Sequence, residues 1–180
     1  FESRYQTDHR QRAVKAFRHS FAFIFLLYTL LSSGIYMLMP RHDIGRWLSL
    51  YGWVAVVIFM VGAFSWMPRL DKWFHWFAGL GSCVGGALSV AGTGVVVAPV
   101  AGQLSQVSIM YVIVIIYSVV GLTFLQASLA GWIGGVLGTL LALSLDGAVN
   151  WDLLHRTYTG SSLIGMFIAY FAERRDRDLF

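Results

Sequence analysis

Trp73–Leu145 reads WFHWFAGLGSCVGGALSVAGTGVVVAPVAGQLSQVSIMYVIVIIYSVVGLTFLQASLAGWIGGVLGTLLALSL, without a single Asp, Glu, Lys or Arg. A bilayer-spanning helix needs roughly 20 apolar residues. The stretch is too long for one crossing and suits three. Turn formers divide it: Gly92, Gly94, Pro99, Gly102, Gln103, Ser105 and Gln106 mark one loop, and Gln126, Ala127 and Ser128 mark a tight turn. The expected helices cover about 73–93, 107–125 and 127–145, with 94–106 a loop or in part an extension of the helix before it.

Working outward, Ser20–Met39 and Trp47–Met67 are also uncharged, and each is closed by a proline, Pro40 and Pro68. Arg41, His42, Asp43 and Arg46 link the first two spans, and Arg69, Asp71 and Lys72 link the second to the third. Asp146, Gly147, Asn150 and Asp152 form the last link, before a sixth span over about 153–172. The reading is an all-α bundle of six transmembrane helices. It divides into a cytoplasmic N-terminal tail (1–18), a six-helix membrane domain (19–172) and the start of a cytoplasmic helix (173–180). The first apolar run is long and has no small-residue cleavage site after it, so it reads as a span and not a signal peptide. The chain ends inside a helical charge pattern, which predicts continuation into a longer protein.

Composition agrees. Hydrophobic residues make up 57% and charged residues 12%, where a soluble domain carries about 25% charged. The net charge of +4 is small. Its basic residues sit at the ends of apolar runs, a pattern suited to anionic lipid head groups and not to nucleic acid. An even number of spans puts Arg4, Arg10, Arg12, Lys15, Arg18, Arg69, Lys72, Arg174, Arg175 and Arg177 on one side, and Arg41, Arg46 and Arg156 on the other. By the positive-inside rule both tails are cytoplasmic. Trp47, Trp66, Trp73, Trp76 and Trp151 fall at expected span ends, where amphipathic rings settle.

Chemistry is sparse. The lone cysteine, Cys83, excludes an internal disulfide and reads as a core residue. No phosphate-binding glycine loop, paired carboxylates or serine–histidine–aspartate set occurs, so no catalytic residue is assigned. Apart from His75, the spans offer no ionisable residue at mid-membrane to carry protons or ions, which argues against a coupled transporter. Gly81 and Gly85, Gly131 and Gly135, and Gly134 and Gly138 are spaced GxxxG, which lets helix backbones approach closely in lipid. They predict packing within the bundle or a homodimer face. The candidate ligands are His19 and His75 near the inner end and His42 and His155 near the outer end, pairs able to hold a haem b iron axially. The outer histidines with Asp43, Asp146 and Asp152 form an alternative polar pocket for a metal or a proton.

The last residues carry a resemblance. Tyr170, Glu173, Arg177 and Phe180 straddle the inner end of the sixth span, with Glu173 and Arg177 at i, i+4. This resembles the exit helix of the MASE-type six-helix membrane sensors that precede GGDEF (diguanylate cyclase) domains in bacteria. The resemblance implies a dimeric sensor and anchor in the bacterial inner membrane whose exit helix drives a cytoplasmic output domain after Phe180. That domain would hold the GTP and Mg²⁺ needed to make cyclic di-GMP. The stimulus is open: an apolar molecule, a haem-bound gas, quinone redox state or pH. Other readings are a haem-binding cytochrome-like subunit, the sensor of a histidine kinase or adenylate cyclase, and a small passive transporter.

Overall fold

A computed structural model describes residues 2–96, 99–145 and 151–178, with side chains described from residue 10 except at 42, 43, 99, 151–153 and 178. The described residues are helical and contain no strand. The helices are α1 (Glu2–Leu38), α2 (Arg41–Ser65), a 3₁₀ turn (Pro68–Trp73), α3 (Phe74–Gly94), α4 (Pro99–Val114), α5 (Phe124–Ser144) and α6 (Trp151–Asp178). α4 runs on into a π-helical turn, Ile115–Val119. Five candidate membrane spans are long and apolar enough: Arg10–Leu38, Ile44–Ser65, Pro68–Gly94, Val100–Val119 and Phe124–Ser144.

α6 is not among the five. Its first turns carry His155, Arg156, Thr157 and Thr159, and its buried stripe includes Ser161 and Ser162, so its average hydropathy is low. It is amphipathic. Leu154, Tyr158, Ser161, Ser162 and Ala169 are buried, while Leu163, Ile164, Phe167, Ile168 and Phe171 are exposed. Helical periodicity explains the split, since these two sets fall on opposite faces.

Two boundaries differ from the sequence expectation. Residues 99–106 are the first turns of α4 and not a loop, with Pro99 at the helix start, where its missing N–H costs nothing. The break before α5 lies at 120–123 and not at Gln126–Ser128. Gly121 adopts φ 74°, a left-handed backbone that only glycine takes easily. Thr123 and Gln126 then form a reciprocal capping box that starts α5. Trp47 also departs from the expected interfacial belt. It is 1% exposed and stacks on Tyr51 at 4.7 Å.

α3 is the hub, packed against α5, α2 and α4. Its small residues give it two close faces. On one, Gly81 lies against Val57 and Val61 of α2, and Gly92 lies under the Tyr51 ring. On the other, Gly134 and Gly138 of α5 meet the Cys83 and Ala87 carbonyls. A Cβ added at these glycines would stand 2.7 Å and 2.5 Å from those oxygens. Dispersion falls off steeply with distance, so backbone-to-backbone contact is how helices without a mutual hydrophobic drive hold together.

Three contacts bring one end of the bundle together. Arg18 of α1 pairs with Asp71 of the 3₁₀ turn (3.0 Å). Gly121 packs against Ala13 of α1. Phe124 at the start of α5 bonds to Glu173 near the end of α6. The chain's two tails therefore emerge at the same end. At the other end Ile35, Met39, Trp47, Val95, Val96 and Ala101 form a second apolar cluster.

Candidate functional site

The exit of α6 is fastened to α5 by one carboxylate. α5 begins with orphan backbone donors, as every helix does. The Thr123 hydroxyl accepts from the Gln126 N–H (3.4 Å), and Glu173 Oε2 accepts from the Phe124 N–H (2.7 Å). A negative charge at a helix N-terminus is favoured by the peptide dipoles. Glu173 Oε1 also accepts from Arg177 Nη2 (3.0 Å) and Nε (3.2 Å), the i, i+4 pair expected from sequence. Tyr170, one turn back, packs edge-on against Phe124 with ring centroids 5.8 Å apart. The structure thus gathers Tyr170, Glu173 and Arg177 onto the first residue of α5. Phe180 lies outside the described residues.

About three turns deeper, α6 rests on a layer of hydroxyl groups. The Tyr158 hydroxyl donates to the Gly131 carbonyl of α5. The Tyr117 ring, from the π turn, packs on Gly165 of α6, and its hydroxyl lies over Gly131. Ser128 lies near Tyr117, and Ser162 near Tyr158. Yet the hydroxyl oxygens of Tyr117, Ser128, Ser161 and Ser162 are all buried without an aligned hydrogen bond. Gly135 faces the Tyr158 ring, so Gly131 and Gly135 make room for tyrosines, whereas Gly134 and Gly138 make room for the α3 backbone.

The π turn also faces a cavity. Ile115 and Ile116 line an apolar space of about 80 Å³ together with Ile24 of α1, Val54 and Ile58 of α2, and Gly85 of α3. The turn is closed by the i+5 bond from the Val120 N–H to the Ile115 carbonyl (3.1 Å). Such wide turns are rare and cluster at functional positions. Here consecutive residues of one turn touch the cavity on one side and α6 on the other.

The histidines with described side chains sit on three different helices. The exposed His19 ring bonds through Nδ1 to the Lys15 carbonyl (2.7 Å). His75 is half-buried in the first turn of α3, beside the Phe74 ring. His155 is exposed on α6, and the side chain of His42 lies outside the described residues, as do those of Asp43, Asp146 and Asp152. Among the described residues no three His, Cys, Asp or Glu side chains are grouped to hold a metal ion.

Two features were missed in the sequence. The Glu173–Phe124 bond joins a side chain to a distant backbone, which no local spacing reveals, although the T-x-x-Q capping signal at 123–126 marked where α5 begins. The hydroxyl layer did leave a signal, since Tyr158, Ser161, Ser162 and Gly165 recur on one helical face. Comparison with protein-family models, with curated proteins and with solved structures gives no match.

Proposed function

We propose that the chain is the membrane-embedded sensor and anchor of a bacterial signalling protein, with α6 as the moving part. In this reading all six helices cross the inner membrane, both tails are cytoplasmic, and two copies pair. An output domain follows Phe180 and, by the resemblance noted above, is a diguanylate cyclase. The observation that carries the reading is the clasp of Glu173 on the Phe124 N–H, made where α6 leaves the bundle. A helix clasped there by one carboxylate, and flanked deeper by buried hydroxyls of which Tyr117, Ser128, Ser161 and Ser162 lack an aligned partner, is in this reading able to take a second position. A stimulus need only bind one of the two positions better.

The route runs from the cavity through the π turn. An apolar occupant would press on Ile115 and Ile116, and Tyr117 in the same turn would pass that displacement to Gly165 and Tyr158 of α6. The uneven charge distribution between ends, with ten of 13 basic residues at the tail end, supports the orientation. The exposed apolar face at Leu163–Phe171 supports lipid contact by α6.

The test is a one-residue insertion after Ala172 in the full-length protein. It rotates everything downstream by about 100°. Cyclic di-GMP formation from GTP, measured in matched membranes, should change severalfold while membrane level stays constant. Unchanged activity and response would make α6 a passive tether and end the sensor reading. Absence of cyclic di-GMP from the unaltered protein would end the cyclase assignment alone.

A further inference from the structure

At the end of the bundle that carries both tails lies a cleft of about 360 Å³, walled by α1 on one side and the 3₁₀ turn on the other. Arg10, Lys15 and Arg18 line it from α1, and Pro68, Asp71 and Lys72 from the turn. That is four cations and, among the described lining residues, one carboxylate. The carboxylate is already used. Asp71 Oδ1 accepts from Arg18 Nη2 at 3.0 Å. Arg18 Nε also donates to the Ser65 carbonyl (2.5 Å), one of the orphan acceptors at the end of α2. The Arg18 guanidinium further lies over the Trp66 ring, 5.8 Å from its centroid. Arg18 and Asp71 therefore neutralise each other and fix the turn against α1.

What remains is a cleft lined by Arg10, Lys15 and Lys72. Arg10 reaches the Lys72 carbonyl at 3.5 Å, which draws the two walls together without cancelling charge. Three ammonium and guanidinium groups around one small volume raise a positive potential that an anion relieves. At about 30 Å³ per water, the volume exceeds a single ion and its first contacts. It fits a phosphate ester with part of its alcohol.

The surroundings point to where that ester comes from. Trp66, Trp73 and Trp76 are 63%, 61% and 76% exposed on and around the same turn. Exposed indoles of this kind settle at the lipid–water boundary. Basic pockets between membrane helices at that level hold anionic head groups. We propose that this cleft binds the phosphate of an anionic phospholipid, with Arg10, Lys15 and Lys72 as its ligands and Arg18 as the positioning residue. The chemistry recognised is a phosphate ester, which a soluble anion also presents, so the test separates the two sources. The proposal rests on the membrane setting and not on the signalling reading.

The experiment uses the whole chain in a neutral detergent. Thermal unfolding is followed with added phosphatidylglycerol, with phosphatidylcholine, and with inorganic phosphate alone. Phosphatidylglycerol should raise the midpoint in a saturable way, and phosphatidylcholine should not. Lys15 and Lys72 are exposed, so Lys15→Ala with Lys72→Ala should leave the lipid-free midpoint unchanged. The same double variant should weaken the apparent phosphatidylglycerol affinity about thirtyfold, since each basic residue near an anionic surface contributes a factor of about five. A control pair at the other end, Arg41→Ala with Arg46→Ala, should keep wild-type affinity. An equal shift with inorganic phosphate overturns the lipid assignment in favour of a soluble anion. An equal shift with phosphatidylcholine, or an undiminished one in the double variant, overturns the site itself.

Discussion

α3 and α6 are both rich in small and hydroxyl residues, yet they are held in opposite ways. Around α3 the hydroxyls are paired: Thr93 Oγ1 meets Ser105 Oγ at 2.7 Å, Ser105 meets the Tyr51 hydroxyl at 3.4 Å, and Tyr51 reaches Ser108 at 3.5 Å. Its glycine neighbours on α5 touch backbone, which cannot yield. Around α6 the Tyr117, Ser128, Ser161 and Ser162 hydroxyls lack aligned partners, and the facing glycines touch tyrosine rings, which can turn. Composition alone thus does not distinguish a tightly paired helix from a loosely paired one. Saturation of hydrogen bonds and the softness of the opposing surface do. Buried unpaired hydroxyls cost free energy that a shifted position can recover.

Five substitutions test this contrast, in falling order of effect. Gly138→Leu should be the most damaging. Its Cβ would collide with the Ala87 carbonyl and with the Val90 side chain, and overpacking of this kind costs about 1–3 kcal/mol or more. Thermal unfolding in detergent should show a large fall in midpoint, or no folded protein at all. Gly135→Leu should be milder, because the Tyr158 ring can rotate away. Equal losses for both would erase the distinction between the two helices.

Thr93→Val comes next. It keeps the shape but strips the Ser105 hydroxyl of its closest partner, at a cost of about 1–3 kcal/mol for a buried group left unmade. A midpoint within error of wild type would show that the α3 network is not saturated in solution. Glu173→Gln should cost less, about 0.3–1 kcal/mol, because it removes charge from the start of α5 while retaining an acceptor. Its clearer signature is local. Hydrogen exchange at the Phe124 amide should quicken severalfold while amides in the middle of α5 stay protected. Unaltered exchange at Phe124 would mean that the clasp does not hold. Ser162→Ala should be nearly neutral or slightly stabilising, since the hydroxyl it deletes has no aligned partner. A loss as large as that of Thr93→Val would place a hidden partner, such as a bound water, in the layer.

The helical class of the chain was legible because charge is absent over long stretches, and burial in lipid leaves helices as the economical way to satisfy backbone groups. Link positions were legible only where charge or proline marks them, as at Pro40 and Pro68. The α4–α5 break escaped because Gly121 is one glycine among 19, and only its backbone angle sets it apart. Residues 99–106 were misread because Gly102, Gln103 and Ser105 are turn formers by propensity, while packing of Ala101 and Ser105, both 0% exposed, holds them helical. Trp47 was misplaced for a related reason. Its position near a span end says nothing of the Tyr51 ring waiting across one turn. At the exit of α6 the local pair Glu173–Arg177 was readable from spacing, but its tie to α5 depends on how the chain returns.

α1 has a further consequence. It is one unbroken helix of 37 residues, about 55 Å at 1.5 Å per residue, against a hydrocarbon core of about 30 Å. Arg10, Arg12, Lys15 and Arg18 make its first half basic, where the second half is apolar. In the membrane setting proposed above, the surplus lies at the N-terminal end of α1, ahead of the candidate span that starts at Arg10. The helix is unbroken from Glu2 to Leu38, so a twist at one end is carried to the other without a hinge to absorb it. Removing one residue from the surplus turns its tip by about 100°, so the tip's facing direction is as much a property of helix length as of sequence.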